Sequence, residues 1–500
     1  MEINQKTRNV LVLGGDVNLG RYQNAMTREF GEEKILGRLK LHELCDMSLV
    51  GLECVVASKG DFVEKEGEVA PYYFRGRPEM LGILTEAKID MVSVANNHSG
   101  DYGTEAFAEM LGLLKQSGID YIGGGLNKDE ASTPVFRRIG DVAVAFLGID
   151  FTTRFFAADE NKAGNYYLPQ DDIESWREEL THKIAEAKKQ AHLVFLYVHW
   201  GYNFDTEPNE NTKELAKTLV SVGADAVFGS SAHVLQGIEI INGKPVFYDT
   251  GNFLFDFRTK ENATGFFQLE LTTDGISEIK FIPTKAGYCY TAYAPLEKGK
   301  ETLEIFRSRC AALGTIVDID GGPGQITLQP QTDNKNPNMD HVQKPQKNFS
   351  KPAPLASALS SYTSSHSPQD SLVPIKKIGP FEMVGLNLSN TILPRSGPFI
   401  IESYWQLFTK EVDQDFMIVQ RLIHEDKDKE SIWNGDHDPC DWMWPTSRWK
   451  RGEIYYDRFF LRPPPSENFV PGKYNLLIGF AHIRTAEQYL EKLDLEIKIY

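Results

Sequence analysis

The chain has 500 residues, 41% hydrophobic and 25% charged, which is long enough and apolar enough for two or more domains with full cores. Its formal net charge of −17, with 70 Asp and Glu against 53 Lys and Arg and no basic stripe, argues against a nucleic-acid partner. The first eight residues hold no apolar leader core and no run of about 18 apolar residues follows, so the expectation is a soluble, cytoplasmic protein with no membrane insertion.

From residue 10 to about 330, short apolar runs alternate with polar, helix-compatible stretches, the pattern of an α/β domain. Runs at 10–13, 49–52, 91–94, 142–147, 193–198, 226–228 and 245–248 read as strands, and 104–116, 173–190 and 211–222 as helices. The last of these spaces Leu215, Leu219 and Val222 on one face and stops at Gly223. Residues 331–373 are dominated by Asn, Lys, Gln, Pro and Ser with few large apolar side chains, which predicts a flexible linker. Beyond it, 374–500 alternates apolar and polar residues at 381–388, 399–408, 416–422, 454–461, 474–480 and 493–500, the signature of an antiparallel β-sandwich.

Five of the seven tryptophans fall in that last segment, four of them between Trp433 and Trp449. Exposed indole faces would let the C-terminal domain bind a protein or carbohydrate, although core packing is the commoner use of Trp. The five cysteines, Cys45, Cys54, Cys289, Cys310 and Cys440, are odd in number and without CxxC spacing, as expected of free thiols.

Five of the N-terminal strands end in chemically capable residues: Asp16, Glu53, Asn97 with His98, His199, and His233. In open α/β sheets ligands sit beyond the carboxyl ends of the strands, so these ends are expected to meet in one crevice. One carboxylate at such an end is ordinarily a helix cap; five ends with two acids, an amide and three imidazoles are not explained by capping. Two chemistries suit the set: a divalent cation that polarises the substrate, or proton transfer between a carboxylate and an imidazole.

The ordered motifs Gly15-Asp16, Leu52-Glu53, Ala95-Asn96-Asn97-His98 with Asp101 and Gly103, His199-Trp200-Gly201, Gly223-Ala224-Asp225, His233-Val234-Leu235-Gln236 and Gly251-Asn252-Phe253 resemble the CapA family. These are poly-γ-glutamate capsule biosynthesis proteins related to calcineurin-like metallophosphoesterases. The resemblance covers about residues 9–256 and implies a layered α-β-β-α sandwich, followed here by the C-terminal β-sandwich. It implies Asp16, Glu53 and His233 as ligands of one metal, Glu53, Asn97 and His199 as ligands of a second, and His98 at the general-acid position. Asp16, His98 and His233 are thus the candidate catalytic groups, and Arg21, Asp101 and Asn252 the candidate substrate contacts.

Three departures bear on the metal. Ser230-Ser231-Ala232-His233 stands where the family has His-His-Pro-His, Asn203 where it has Glu, and Asn18 where classical phosphoesterases have His. Losing an imidazole and a carboxylate implies one divalent ion (Mn, Fe or Zn) or none, rather than a pair. The leading expectation is a soluble enzyme acting on a peptide or γ-glutamyl polymer by acid–base or single-metal chemistry. The alternatives are a metal-dependent phosphoesterase and a non-catalytic assembly or binding module for capsule polymer synthesis.

Overall fold

The computed structural model describes residues 9–499 apart from 66–70, 257–262, 320–321, 329–340, 358, 360–361, 365–370, 390, 394–398, 410, 427–431, 462–469, 483–484 and 486. Its contacts divide the chain into two compact units, Met1–Val63 with Tyr73–Pro354, and Glu64–Tyr72 with Leu355–Tyr500.

In the first unit the main elements are, in chain order, β1 (Val10–Val17), α1 (Tyr22–Phe30), β2 (Met47–Leu52), β3 (Met91–Ser93), α2 (Gly103–Gln116), β4 (Asp120–Ile122), β5 (Val135–Ile139), β6 (Val142–Asp150), α3 (Glu174–Ala187), β7 (Leu193–His199), α4 (Glu210–Ser221), β8 (Ala226–Ser230), β9 (Ile238–Ile241), β10 (Lys244–Phe247), β11 (Asn252–Leu254), β12 (Ala263–Thr272), β13 (Gly275–Gly287) and α5 (Leu296–Ala312). One sheet runs β13-β12-β1-β2-β3-β4, parallel from β1 to β4. The other runs β9-β10-β8-β7-β6-β5, parallel from β10 to β6 with antiparallel edges.

The two-residue period of β6 decides the layering. Val142, Val144 and Phe146 enter the core shared with Leu11, Leu13, Leu49 and Met91 of the first sheet. Ala143, Ala145 and Leu147 enter a second core beneath Leu180 and Ile184 of α3 and Leu215 and Leu219 of α4. Strands buried on both faces need apolar residues at every position, which is why these segments are continuous apolar runs. On the first sheet α2 buries Phe107, Met110 and Leu114 beside β4. The result is the α-β-β-α order. Asn209 caps α4, accepting from the Thr212 amide at 2.9 Å, and Gly223 follows it at φ 113°, as a C′ glycine does.

The expected linker needs a correction. Its residues 331–340 and 365–370 lie outside the described residues, but 342–351 is laid along the first unit rather than free of it. Val342 is buried in the second core, the Arg138 amide donates to the Gln343 carbonyl (2.8 Å), and the Ser350 amide to that of Ser117 (3.1 Å). Lys347 Nζ reaches the buried Asp90 carboxylate at 2.6 Å. Composition reads apolar content, and this stretch is held by backbone and charge instead.

In the second unit β14 (Phe381–Leu388), β15 (Phe399–Leu407) and β17 (Ile454–Leu461) form one antiparallel sheet, with β15 in the middle. The other is built of β16 (Phe416–His424), β18 (Gly472–His482) and β19 (Gln488–Ile499), with β18 in the middle. Phe399, Ile401, Trp405 and Leu407 alternate inward from β15 and meet Ile418, Leu476, Ile478 and Phe480 of the facing sheet. All five tryptophans of this unit, Trp405, Trp433, Trp442, Trp444 and Trp449, are buried. Of the two uses weighed for these indoles, core packing is the one observed: they fill the space between the two sheets.

A buried ion pair sits among them. His437 Nε2 lies 2.9 Å from Asp457 Oδ2 and Nδ1 lies 2.6 Å from the Gly435 carbonyl oxygen, with the ring stacked on Phe459 at 3.7 Å. Both nitrogens face acceptors, so both bonds form only in the imidazolium. Burial opposes that charge, but the adjacent Asp457 carboxylate and its hydrogen bond, then Gly435 and Asp441, raise the His437 pKa above its ordinary value.

Two predictions follow from these contacts. Lys347→Ala leaves Asp90 with Ser48 as its remaining described partner, and is expected to lower the stability of the first unit by about 1 kcal/mol, discounted because Lys347 is half exposed; thermal melting checks it. A raised imidazole pKa contributes stability that is full below the unfolded value, about 6.5, and is lost as pH rises through the folded value. The melting temperature of the second unit, followed by tryptophan fluorescence, should therefore fall above about pH 6.5, and His437→Gln should flatten that dependence.

Candidate functional site

The site is assembled where the carboxyl ends of both sheets' parallel strands meet. Asp16 stands near the end of β1, whose amide donates to the Gly251 carbonyl at 3.1 Å. The approach is close: a Cβ on Gly15 would lie 1.7 Å from the Gly251 oxygen, and one on Gly51 of β2 would lie 2.6 Å from Asp16 Oδ1. Glycine at 15 and 51 is what brings these strands together. Glu53 follows β2 with its amide on the Val17 carbonyl at 2.8 Å. After β3, Asn96 donates from Nδ2 to the Leu52 carbonyl (2.8 Å) and accepts from the His98 amide (3.0 Å), an Asx turn that sets Asn97 and His98 at the edge. From the second sheet come His199, the last residue of β7, and His233, reached after β8 through a turn with Ser231 at φ 111° and His233 at φ 62°.

These residues converge. Asp16, Glu53 and His233 each offer a ligand atom, all within 4.8 Å of one another. Glu53 lies between two imidazoles, with His199 Nε2 3.7 Å from Oε1 and His233 Nδ1 3.7 Å from Oε2. His199 Nε2 is 2.9 Å from Asn97 Oδ1 and its Nδ1 3.0 Å from Ser230 Oγ. Burial pushes the Asp16 pKa up to about 7, against the Ser231 amide that donates to Oδ2 at 3.1 Å. Burial lowers His233 to about 4, opposed by its hydrogen bond to Asn252. His199 is held well below its ordinary value by burial, then by His233 and His98. Both imidazoles are neutral near pH 7, the form in which imidazole ligates a metal.

His98 is oriented separately. Its Nδ1 lies 2.7 Å from Asp101 Oδ2, and its ring lies 4.0 Å from that of Phe74. Asp101 also accepts from the Phe74 amide at 2.7 Å and is fully buried. Two of the expected substrate contacts are seen to hold histidines. Buried Asp101 holds His98, and Asn252 Oδ1 accepts from His233 Nδ1 at 2.8 Å, so each of the two touches an imidazole. The third, Arg21, pairs with Asp256 at 2.9 Å beside the Phe74 ring. Asn203 is exposed, outside the group.

Sequence reasoning missed three contributors. Phe74 and Phe255 wall His98 and His233, with Phe255 5.0 Å from the His233 ring; isolated aromatics give no sequence signal. Asp249 accepts the Ala232 amide at 2.6 Å and the Gly251 amide at 2.7 Å. Its place at the end of the 245–248 run was the available clue.

The family described as "Bacterial capsule synthesis protein PGA_cap" matches residues 10–257, the segment that carries every residue of this site. The PGA biosynthesis protein CapA of Bacillus subtilis (strain 168) is 30% identical over 287 residues, covering 54% of this chain and 72% of that protein. The capsule biosynthesis protein CapA of Bacillus anthracis is 26% identical, covering 55% of this chain and 66% of that one. A probable polyglutamine synthesis accessory protein of Mycobacterium tuberculosis (strain H37Rv) is 23% identical, covering 49% and 74%. Among solved structures, a 5'-nucleotidase from Candida albicans aligns over 61% of this chain and 57% of its own at 12% identity and a TM-score of 0.33, too slight a likeness to carry an argument. With the matched motifs lying on one buried edge and the Bacillus subtilis relative aligned over most of its length, the chain belongs to the PGA_cap family of bacterial capsule synthesis proteins.

Proposed function

We propose that this chain is an accessory enzyme of capsule-type polymer synthesis, acting on an amide- or peptide-type substrate, poly-γ-glutamyl in the first instance, with one divalent cation. The observation that carries the reading is the convergence of Asp16, Glu53 and His233 within 4.8 Å. Two carboxylates and a neutral imidazole suit Mn, Fe or Zn. When bound there, such an ion supplies Lewis-acid polarisation of a carbonyl oxygen.

The remaining roles belong to side chains. Asp101 holds His98 through Nδ1, leaving Nε2 as the atom to hand a proton to a departing amine. Arg21, partly exposed beside Phe74, is the group for a substrate carboxylate. The second ligand set favours one ion over two: Asn97 Oδ1 and His199 Nε2 satisfy each other, and Ser231 contributes an amide to Asp16 where the family has an imidazole. Relatives are named for PGA biosynthesis and polyglutamine synthesis, and among the described residues no helix is long and apolar enough to cross a membrane.

Metal analysis of the purified protein is expected to give at most one divalent ion per chain. Ser231→His should raise occupancy by returning an imidazole beside Asp16. Asp16→Asn and His233→Ala should each abolish hydrolysis of γ-glutamyl amides. Two tight ions with complete chelator inhibition of phosphoester cleavage would favour the phosphoesterase reading instead, and full activity in both variants would leave a binding module. His98→Asn should lower kcat by about 10²- to 10⁴-fold, the usual contribution of a general acid, with the metal content unchanged; Asp101→Asn should lower it less and move the alkaline limb of the pH profile, where a general acid loses its proton.

A further inference from the structure

We infer that Asp249 is a positioning residue that sets the geometry of His233, and through it the affinity of the Asp16–Glu53–His233 group for its cation. The inference rests on the cation reading above. Asp249 is buried just beyond β10 and touches none of the group as a ligand; among the described residues no ion pair includes it. Each of its oxygens takes one backbone amide: Oδ2 accepts from Ala232 at 2.6 Å and Oδ1 from Gly251 at 2.7 Å.

Those two amides lie on the two loops that fix His233. The Ala232 amide stands inside the turn formed by Ser231 at φ 111° and His233 at φ 62°, a backbone that L-residues rarely adopt and that reverts unless its surroundings hold it. Gly251 precedes Asn252, whose side chain orients His233 Nδ1 at 2.8 Å. The circuit then closes on the first sheet. The Ser231 amide donates to Asp16 Oδ2 at 3.1 Å, and the Asp16 amide donates to the Gly251 carbonyl at 3.1 Å. Asp249 thus ties the backbone of the His233 turn to the backbone of the Gly251–Asn252 loop through a single side chain, beside the Asn252–His233 contact. A carboxylate is required rather than an amide, because both incoming groups are N–H donors and the Asn side chain has one acceptor only.

The experiment is a double-mutant cycle on Mn2+ affinity, measured calorimetrically for the native chain, Asp249→Asn, His233→Ala and the double variant, with the Co2+ visible spectrum of each as a second readout. Asp249→Asn is expected to weaken Mn2+ binding at least ~10-fold, as loss of a ligand-orienting group does, and to change the Co2+ bands. The double variant should bind no more weakly than His233→Ala alone, since the effect of Asp249 passes through His233. Additive losses, or a lower melting temperature with unchanged affinity and bands, would overturn the positioning role. Should Asp249→Asn not fold, Asp249→Ser, which keeps an acceptor of smaller size, takes its place in the cycle. If His233→Ala binds Mn2+ as the native chain does, the cation reading fails and this inference with it; a normal His233→Ala loss beside native binding by the Asp249 variant removes only the inference.

Discussion

A carboxylate buried away from water is unfavourable unless charge or hydrogen bonds meet it, and Glu53 is such a carboxylate, set between His199 on one side and His233 on the other. Both histidines come from the second sheet while Glu53 comes from the first. The site therefore exists only because two sheets present the carboxyl ends of their parallel strands at a common edge. The shared core of Leu11, Leu49, Phe146, Phe195 and Phe228 fixes the sheets face to face, and the close approach at Gly15 and Gly51 fixes the depth of Asp16. Removing either constraint would leave the same residues unable to act on one ligand.

Orientation is handled by a ring of groups behind the converging side chains. Asp101 serves His98, Asn252 serves His233, Ser230 serves His199, and Asp249 holds the turn from which His233 projects. Such partners set the tautomer and the direction of an imidazole, and hence its strength as a ligand or acid. Ser231 brings a hydroxyl rather than an imidazole to this turn, and its backbone amide reaches Asp16.

The two units use histidine in opposite ways. His437 has a carboxylate at one nitrogen and a carbonyl at the other, so its surroundings favour the cation in spite of burial. His199 and His233 have an amide oxygen, a hydroxyl and each other's field, with Glu53 no nearer than 3.7 Å, and burial wins. The difference lies in contact distance and partner type, and it separates an imidazole that holds a sandwich together from imidazoles fit to bind a metal.

The sequence by itself determined the elements and which polar residues stand at the strand ends. Apolar runs at 142–147 and 193–198 are strands because both faces are buried, and the alternation at 399–408 is a strand with one face buried. Asp16, Glu53, Asn97, His98, His199 and His233 were legible because polar residues at strand ends stand out against such runs. Tertiary structure alone decided what each one faces. That Asp101 touches His98 and Asn252 touches His233 depends on tertiary placement, and for Asn252 on a turn with positive φ that periodicity does not encode. The stretch 342–351 was misread for a physical reason. Composition reports how much apolar surface a segment owns, whereas burial and docking depend on what the rest of the chain brings against it.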